Sequence, residues 1–204
     1  MIGLLFSTAE EGRDFFKSYE RGRFEGLQEG DIEEDGDLTV GILGSGKVKA
    51  TLRCERFLRD QRIDHLVHAG LCSALKPDVP AGTLVAVDRV FEGDRIELTA
   101  PSYPPMPLIL LDEGLASGTL VTQDHPIQND EEQSYWQRVA DYVDSSGYAL
   151  AYVAATYGVP LSIVKAVSGS ATGRTRDVRQ TRAKACEAIG GYLIENLLQN
   201  LLGS

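Results

Sequence analysis

Ile63-Asp64-His65-Leu66-Val67-His68-Ala69-Gly70-Leu71-Cys72-Ser73-Ala74-Leu75, followed by Gly82-Thr83-Leu84-Val85-Ala86-Val87-Asp88-Arg89-Val90, is the stretch that decides the fold. Its apolar runs are short and bounded by Gly and Pro, which marks strands buried on both faces rather than helices. The first strand reads as Ile63 to Gly70, with Gly70 to Leu75 as a small-residue loop; Pro77, Pro80 and Gly82 separate it from the second strand, Leu84 to Val90. Upstream, Gly44-Ser45-Gly46 opens a helical pattern in which Val48, Leu52, Phe57 and Leu58 recur at three- and four-residue spacings, with Lys49, Arg53 and Arg56 between them. Ile2 to Phe6 is another short apolar run. It is followed by Ser7-Thr8-Ala9-Glu10-Glu11, a hydroxyl-then-acid sequence typical of a capped helix start, and the helix carries Phe15, Phe16 and Tyr19 and stops before Gly22. Arg23 to Leu27 and Leu38 to Leu43 read as strands on either side of an acidic loop at Asp31 to Asp37.

Downstream, Pro101, Pro104, Pro105 and Pro107 make residues 92–111 a surface excursion near a pocket mouth, since proline is excluded from helix interiors and central strands. Strands are predicted at Gly118 to Thr122 and Ala140 to Val143, with a short helix from Asp130 to Trp136 between them. Gly147 to Tyr157 reads as an Ala-rich helix stopped by Gly158, and Leu161 to Val167 as the last core strand. A loop from Ser168 to Thr175 leads into a C-terminal helix reaching about Leu202. The alternation predicts an α/β fold, a layered mixed central sheet flanked by helices, in one domain spanning residues 1–204.

The 204 residues suit one domain with one core. No apolar run approaches the ~18 residues that a membrane span needs. Twenty Lys+Arg against thirty Asp+Glu give a net charge of -10, which opposes docking on a phosphate backbone, so a small-molecule ligand is expected and nucleic acid is not. Met1 to Phe6 carries no basic leader and meets Glu10 and Glu11 early, giving an expected cytoplasmic location. Cys54, Cys72 and Cys186 form no CxxC, hence neither a zinc site nor a disulfide scaffold; Cys54 and Cys186 fall on helices.

Gly44-Ser45-Gly46-Lys47 invites a phosphate-loop reading, because backbone amides at a helix N-terminus suit an anion. The Walker spacing fails: the first glycine is missing and Val48 occupies the hydroxyl position. A tight strand-to-helix turn and a contact from Gly44 to a ribose or an anion both remain open. His65, His68 and His125 have no ligand-like spacing, so no metal is expected, and the odd offset sends His65 and His68 to opposite faces of their strand. No Gly-x-Ser-x-Gly elbow occurs, which argues against a triad hydrolase. Glu11, at a helix start, suits either a capping acid or a functional carboxylate.

Strand one with Glu10-Glu11, the Gly-x-Gly-Lys-Val helix start, His-Ala-Gly-Leu-Cys-Ser-Ala-Leu, Ala-Gly-Thr-Leu-Val-Ala-Val-Asp and Gly-Val-Pro-Leu-Ser-Ile-Val-Lys-Ala-Val-Ser occur in a characteristic order. This order resembles the purine nucleoside phosphorylase and methylthioadenosine/adenosylhomocysteine nucleosidase superfamily. The likeness runs from Met1 to about Leu201 and is strongest in Gly46 to Asp88 and Tyr148 to Ser168. It implies a nucleoside phosphorylase-like fold and cleavage of the N-ribosidic bond of a purine-type nucleoside, by water or by phosphate as co-substrate, with no other cofactor. It also implies a homodimer. Such chemistry needs a carboxylate for the nucleophile, an acid for the departing purine and acceptors for the ribose.

The resemblance makes Glu11 the catalytic residue that orients water, Gly70 and Leu71 part of the loop under the purine, and Ile127, after Asp124, the side chain over the base. It places the ribose element at Asp144-Ser145-Ser146, where Ser145 and Ser146 stand in a Glu-Met-Glu pattern, and the leaving-group position at Ser168-Gly169, where Gly169 replaces an acid. Serine accepts a ribose hydroxyl without the charge or bidentate geometry of glutamate. Loss of a general acid costs on the order of 10²–10⁴ in rate. Asp124, Asp144 and Asp177 are the candidate replacement acids. Arg174, Arg176 and Arg179 offer cations for phosphate, or a solvated basic helix face. The expectation is therefore a divergent nucleosidase or phosphorylase, with a catalytically degenerate nucleoside-binding protein of the same fold as the alternative; an unrelated α/β assembly protein would show no pocket around Glu11, Gly70 and Ile127.

Overall fold

A computed structural model describes residues 1–94, 105–172 and 177–197. Pro101, Pro104, Arg174, Arg176 and the expected helix end at Leu202 lie outside the described residues. The strands are β1 (Ile2–Phe6), β2 (Ile32–Asp35), β3 (Leu38–Ile42), β4 (His65–Ala74), β5 (Leu84–Glu92), β6 (Met106–Pro107), β7 (Ala116–Thr122), β8 (Tyr142–Asp144) and β9 (Leu161–Ser170). The α-helices are α1 (Ala9–Ser18), α2 (Lys47–Asp60), α3 (Asp130–Trp136), α4 (Gly147–Tyr157) and α5 (Val178–Tyr192).

Among the described residues the nine strands join one mixed sheet in the order β2-β3-β1-β4-β8-β7-β5-β6, with β9 paired to both β4 and β5. Strands β4, β8, β7, β5 and β9 thus close a ring, and the parallel strands β3 and β1 extend from β4. The closure depends on the length of β4: its first half pairs with β1, whereas Ser73 and Ala74 pair with β8.

Side-chain alternation along β1 divides the core. Leu4 and Phe6 join a cluster with Phe15 and Phe16 of α1 and Ala185 and Ile189 of α5, while Leu5 joins Cys54 and Phe57 of α2 and Leu150 of α4. Rings of Phe6, Phe15, Phe16, Tyr19 and Phe24 meet at centroid separations of 4.9–6.3 Å, so α1 is fixed by aromatic packing. Helices α1 and α5 approach closely because Gly190 has no side chain: a Cβ there would lie 2.8 Å from the Phe15 amide nitrogen.

Several expectations need correction. The acidic stretch at Asp31 to Asp37 is not a loop: Ile32–Asp35 forms the edge strand β2, antiparallel to β3, and Arg23 to Leu27 is turn rather than strand. Acidic side chains are tolerated there because an edge strand leaves one side to water, and charge on it opposes unwanted pairing. Gly70 to Ala74 is likewise strand, not loop, because β4 continues to pair with β9 through Cys72 and then with β8. Helices α3 and α4 occupy the predicted bounds. Among the described residues, no helix is long and apolar enough to cross a membrane.

Candidate functional site

Parallel strands place their C-terminal ends together, and the crevice outside such ends is the usual ligand position in α/β sheets. Here the segments that follow β1, β7 and β8 and the C-terminal parts of β4 and β9 enclose a cavity of about 320 Å³. Glu11, Leu71, Asp124, Ile127, Ser145 and Ser168 line it. Gly70, Ser146, Gly44 and Gly169 do not, for separate reasons.

Gly70 lies beneath Glu11: a Cβ there would fall 2.9 Å from Glu11 Oε2, so glycine lets the carboxylate rest over β4. Ser146 is under the floor, 1% exposed, with its Oγ 2.9 Å from Ser7 Oγ and 3.0 Å from His68 Nε2. Gly44, at φ +89°, faces Arg53, Glu29 and Lys49 instead of the cavity, which makes it a turn residue. Gly169 sits in β9 at φ +151°, a conformation that side-chain-bearing residues rarely adopt.

Glu11 is held by its own helix terminus. Thr8 caps α1 by accepting from the Glu11 amide at 3.3 Å, and Glu11 Oε2 accepts from the amides of Ser7 at 3.1 Å and Thr8 at 3.3 Å. Burial pushes the Glu11 carboxyl above its ordinary value, against the opposing pull of Lys165 and the Thr8 amide. Arg182, also on the cavity wall, pairs with Glu10 at 2.9 Å.

Beneath the floor is a polar cluster that sequence reasoning missed. Lys165 Nζ lies 2.8 Å from both Asp144 Oδ2 and His68 Nε2. His68 Nδ1 is 3.0 Å from the Leu5 carbonyl, so this nitrogen carries the proton and Nε2 accepts. Burial and the adjacent Lys165 charge push His68 down to about 3, which leaves it neutral. Asp144 Oδ1 accepts from Thr122 Oγ1 at 2.6 Å, and the Gly147 amide reaches Oδ2 at 2.9 Å. Burial alone would raise the Asp144 carboxyl, but the Lys165 charge together with the hydrogen bonds from Lys165 and Thr122 holds the group below its ordinary value. A lysine inside Leu161 to Val167, an otherwise uncharged strand run, was the available signal, because an unpaired charge is not buried.

The three candidate replacement acids are engaged elsewhere. Asp124 Oδ1 accepts from the Lys47 amide at 2.8 Å, thereby capping α2 and occupying the anion position of the Gly44-Ser45-Gly46 turn. Asp144 is ionised against Lys165, and Asp177 caps α5 through the Gln180 amide at 3.0 Å. Among the described residues, no group of His, Cys, Asp and Glu side chains is arranged to hold a metal ion.

The family model described as the phosphorylase superfamily matches residues 17–198, most of the chain and all of the strands from β2 onward. This chain belongs to the phosphorylase superfamily. No curated protein matches it by sequence. Among solved structures, this superfamily member is similar to a futalosine hydrolase mutant of Helicobacter pylori, with 16% identity, a TM-score of 0.76 and coverage of 96% of this chain and 97% of the other. It is also similar to the 5'-methylthioadenosine/S-adenosyl homocysteine nucleosidase of the same organism, with 16% identity, a TM-score of 0.78 and the same coverages. The corresponding nucleosidase of Campylobacter jejuni gives 17% identity and a TM-score of 0.76, over 96% and 97% of the two chains. At these identities the likeness establishes the superfamily's fold, the mixed sheet with flanking helices.

Proposed function

We propose that the protein is a nucleosidase that binds a purine-type nucleoside in the Glu11 cavity and cleaves its N-ribosidic bond with water. The observation that carries this reading is Glu11 itself: a desolvated carboxylate, fixed by two backbone amides, that opens on a cavity at the strand ends. Burial raises its basicity, which suits a group that positions a water molecule and takes its proton. As the water oxygen bonds to the anomeric carbon, the carbon–nitrogen bond breaks and its electron pair leaves with the base. In this reading Ser145 and Ser168 on the wall accept from ribose hydroxyls, Ser168 while donating to the Cys72 carbonyl at 3.0 Å, and Leu71 and Ile127 serve as apolar surface for the base. Water is preferred to phosphate because Asp124 already fills the Gly46-Lys47 turn and the buried Glu11 repels an incoming anion.

A second reading, a nucleoside-binding protein without turnover, is favoured by one observation: Ser146 and Asp144, at the ribose element, are tied to His68 and Lys165 below the floor. Incubation with adenosine, inosine, methylthioadenosine and adenosylhomocysteine, with and without phosphate, distinguishes the two. Base released without phosphate supports the hydrolase, whereas binding without release selects the second reading. The reading includes a cytoplasmic protein, in keeping with three free buried cysteines, and a homodimer. Support for the dimer comes from Val48, Leu52 and Tyr152, which are 60–70% exposed on the neighbouring helices α2 and α4.

A further inference from the structure

A purine leaves a ribose slowly unless it is protonated, and the cavity has no acid at Gly169. Of the titratable side chains on its wall, Glu11 serves the water, Asp124 caps α2, Asp144 is bound to Lys165, and burial pushes the Cys72 thiol up to about 12. The remaining ones are Arg182, a guanidinium paired with Glu10 that does not give up its proton, and His125, whose imidazole is the side-chain type most often used as a general acid.

His125 is backed by a carboxylate: its Nε2 is 3.3 Å from Glu132 Oε1 on α3. Glu132 is itself fixed, since its Oε1 accepts from Gln123 Nε2 at 3.2 Å and its Oε2 from the Gln128 amide at 2.9 Å. The pairing assigns a proton to Nε2 and leaves Nδ1 as the nitrogen that donates.

Gln123 braces the same pair from inside the fold, through the His125 carbonyl and Glu132 Oε1. Gln123 lines the cavity and is 2% exposed, and its Oε1 has no hydrogen-bond partner among the described residues. The amide orientation is fixed, because Nε2 donates to the His125 carbonyl at 2.9 Å as well as to Glu132, and both of these are acceptors.

We propose that His125, held by Glu132, is the general acid that protonates the departing base, in place of the acid absent at Gly169. The inference rests on the hydrolytic reading above. In the step, the imidazolium proton passes from Nδ1 to a ring nitrogen of the base as the ribosidic bond breaks and its electron pair enters the ring. Neutral His125 keeps its Nε2 hydrogen bond to Glu132, and the proton taken from water resides on Glu11, so the charges balance. The loop after β7 thus supplies both the apolar surface for the base and its proton.

The test compares a purine nucleoside, whose base needs protonation, with p-nitrophenyl β-D-ribofuranoside, whose phenolate leaves unaided. His125→Gln and His125→Ala are expected to lower purine nucleoside turnover by roughly 10²–10⁴ while leaving p-nitrophenol release within about threefold. Equal losses on both substrates, or no loss on either, would overturn the assignment and leave the hydrolytic reading standing. Wild-type protein that releases p-nitrophenol but no purine would also overturn it, by showing that no working acid is present. Cleavage of neither substrate would sink the hydrolytic reading and this inference with it.

Discussion

Lys165 Nζ lies 2.8 Å from Asp144 Oδ2, and the two side chains are each 2% exposed. The pair joins the C-terminal parts of β9 and β8 directly under the candidate site. A buried pair of this kind adds little net stability over apolar residues, but removal of one partner strands the other charge. Its role is therefore read as geometric: it fixes the cavity floor on which Gly70 and Glu11 rest.

Lys165→Met is accordingly expected to destabilise the fold by about 3–5 kcal/mol. Adding Asp144→Asn to it should recover much of the loss, since the amide still accepts from Thr122. Chemical denaturation of the single and double variants measures the coupling. Equal instability in both would show that Lys165 acts through packing alone.

Stability should fall on acidification starting near neutrality. His68 drops from its ordinary 6.5 to about 3 in the fold, so the unfolded chain takes up a proton first, and the contribution present above 6.5 is lost as pH falls toward 3. The slope from this one group is at most about 1.4 kcal/mol per pH unit. Asp144, also lowered, adds a loss of the same sign below its ordinary carboxylate value. Glu11, raised, acts oppositely: its contribution is complete below the ordinary value and disappears as pH rises through the raised one. Urea unfolding between pH 3 and 8, repeated with His68→Asn, is expected to show a flatter profile for the variant.

Much of the fold was legible from periodicity. Short apolar runs gave the strands, and the hydroxyl-then-acid sequence from Ser7 to Glu11 marked the start of α1, which Thr8 caps. The continuation of β4 past Gly70 was not, because Gly, Cys, Ser and Ala carry weak strand preference and only the pairing with β9 and β8 decides their state. The resemblance picked out Glu11, Leu71 and Ile127, three residues that share the cavity wall. The Lys165, His68 and Asp144 cluster and the His125–Glu132 pair were hidden, because each joins residues from separate strands or loops that have no spacing in common.

Gly169 illustrates a substitution that is more than a lost functional group. At φ +151° it occupies a backbone state unfavourable to other residues, so Gly169→Asp is expected to lower stability by about 1–3 kcal/mol. Ser146→Glu would place a second carboxylate beside Asp144, whose Oδ2 is 3.3 Å from Ser146 Oγ. The double variant should therefore show a lower melting temperature than wild type. A melting temperature at or above the wild-type value would refute this account of both sites.

On α2, Val48 and Leu52 are 70% and 65% exposed one helical turn apart, opposite Tyr152 of α4 at 60%. If this face covers a second copy, sedimentation velocity at micromolar concentration should give a dimer for wild type and a monomer for Leu52→Glu. A wild-type monomer would remove the dimer from the account.

The most direct test of the central claim is the rate of free-base release from purine nucleosides without phosphate, for wild type and for Glu11→Gln. The variant amide oxygen can still accept from the Ser7 and Thr8 amides, so its fold should be retained, while the group that takes the proton from water is removed. The account predicts measurable release by wild type and a loss of at least about 10² in Glu11→Gln. Release that is unchanged by the substitution, or that requires phosphate, would contradict it.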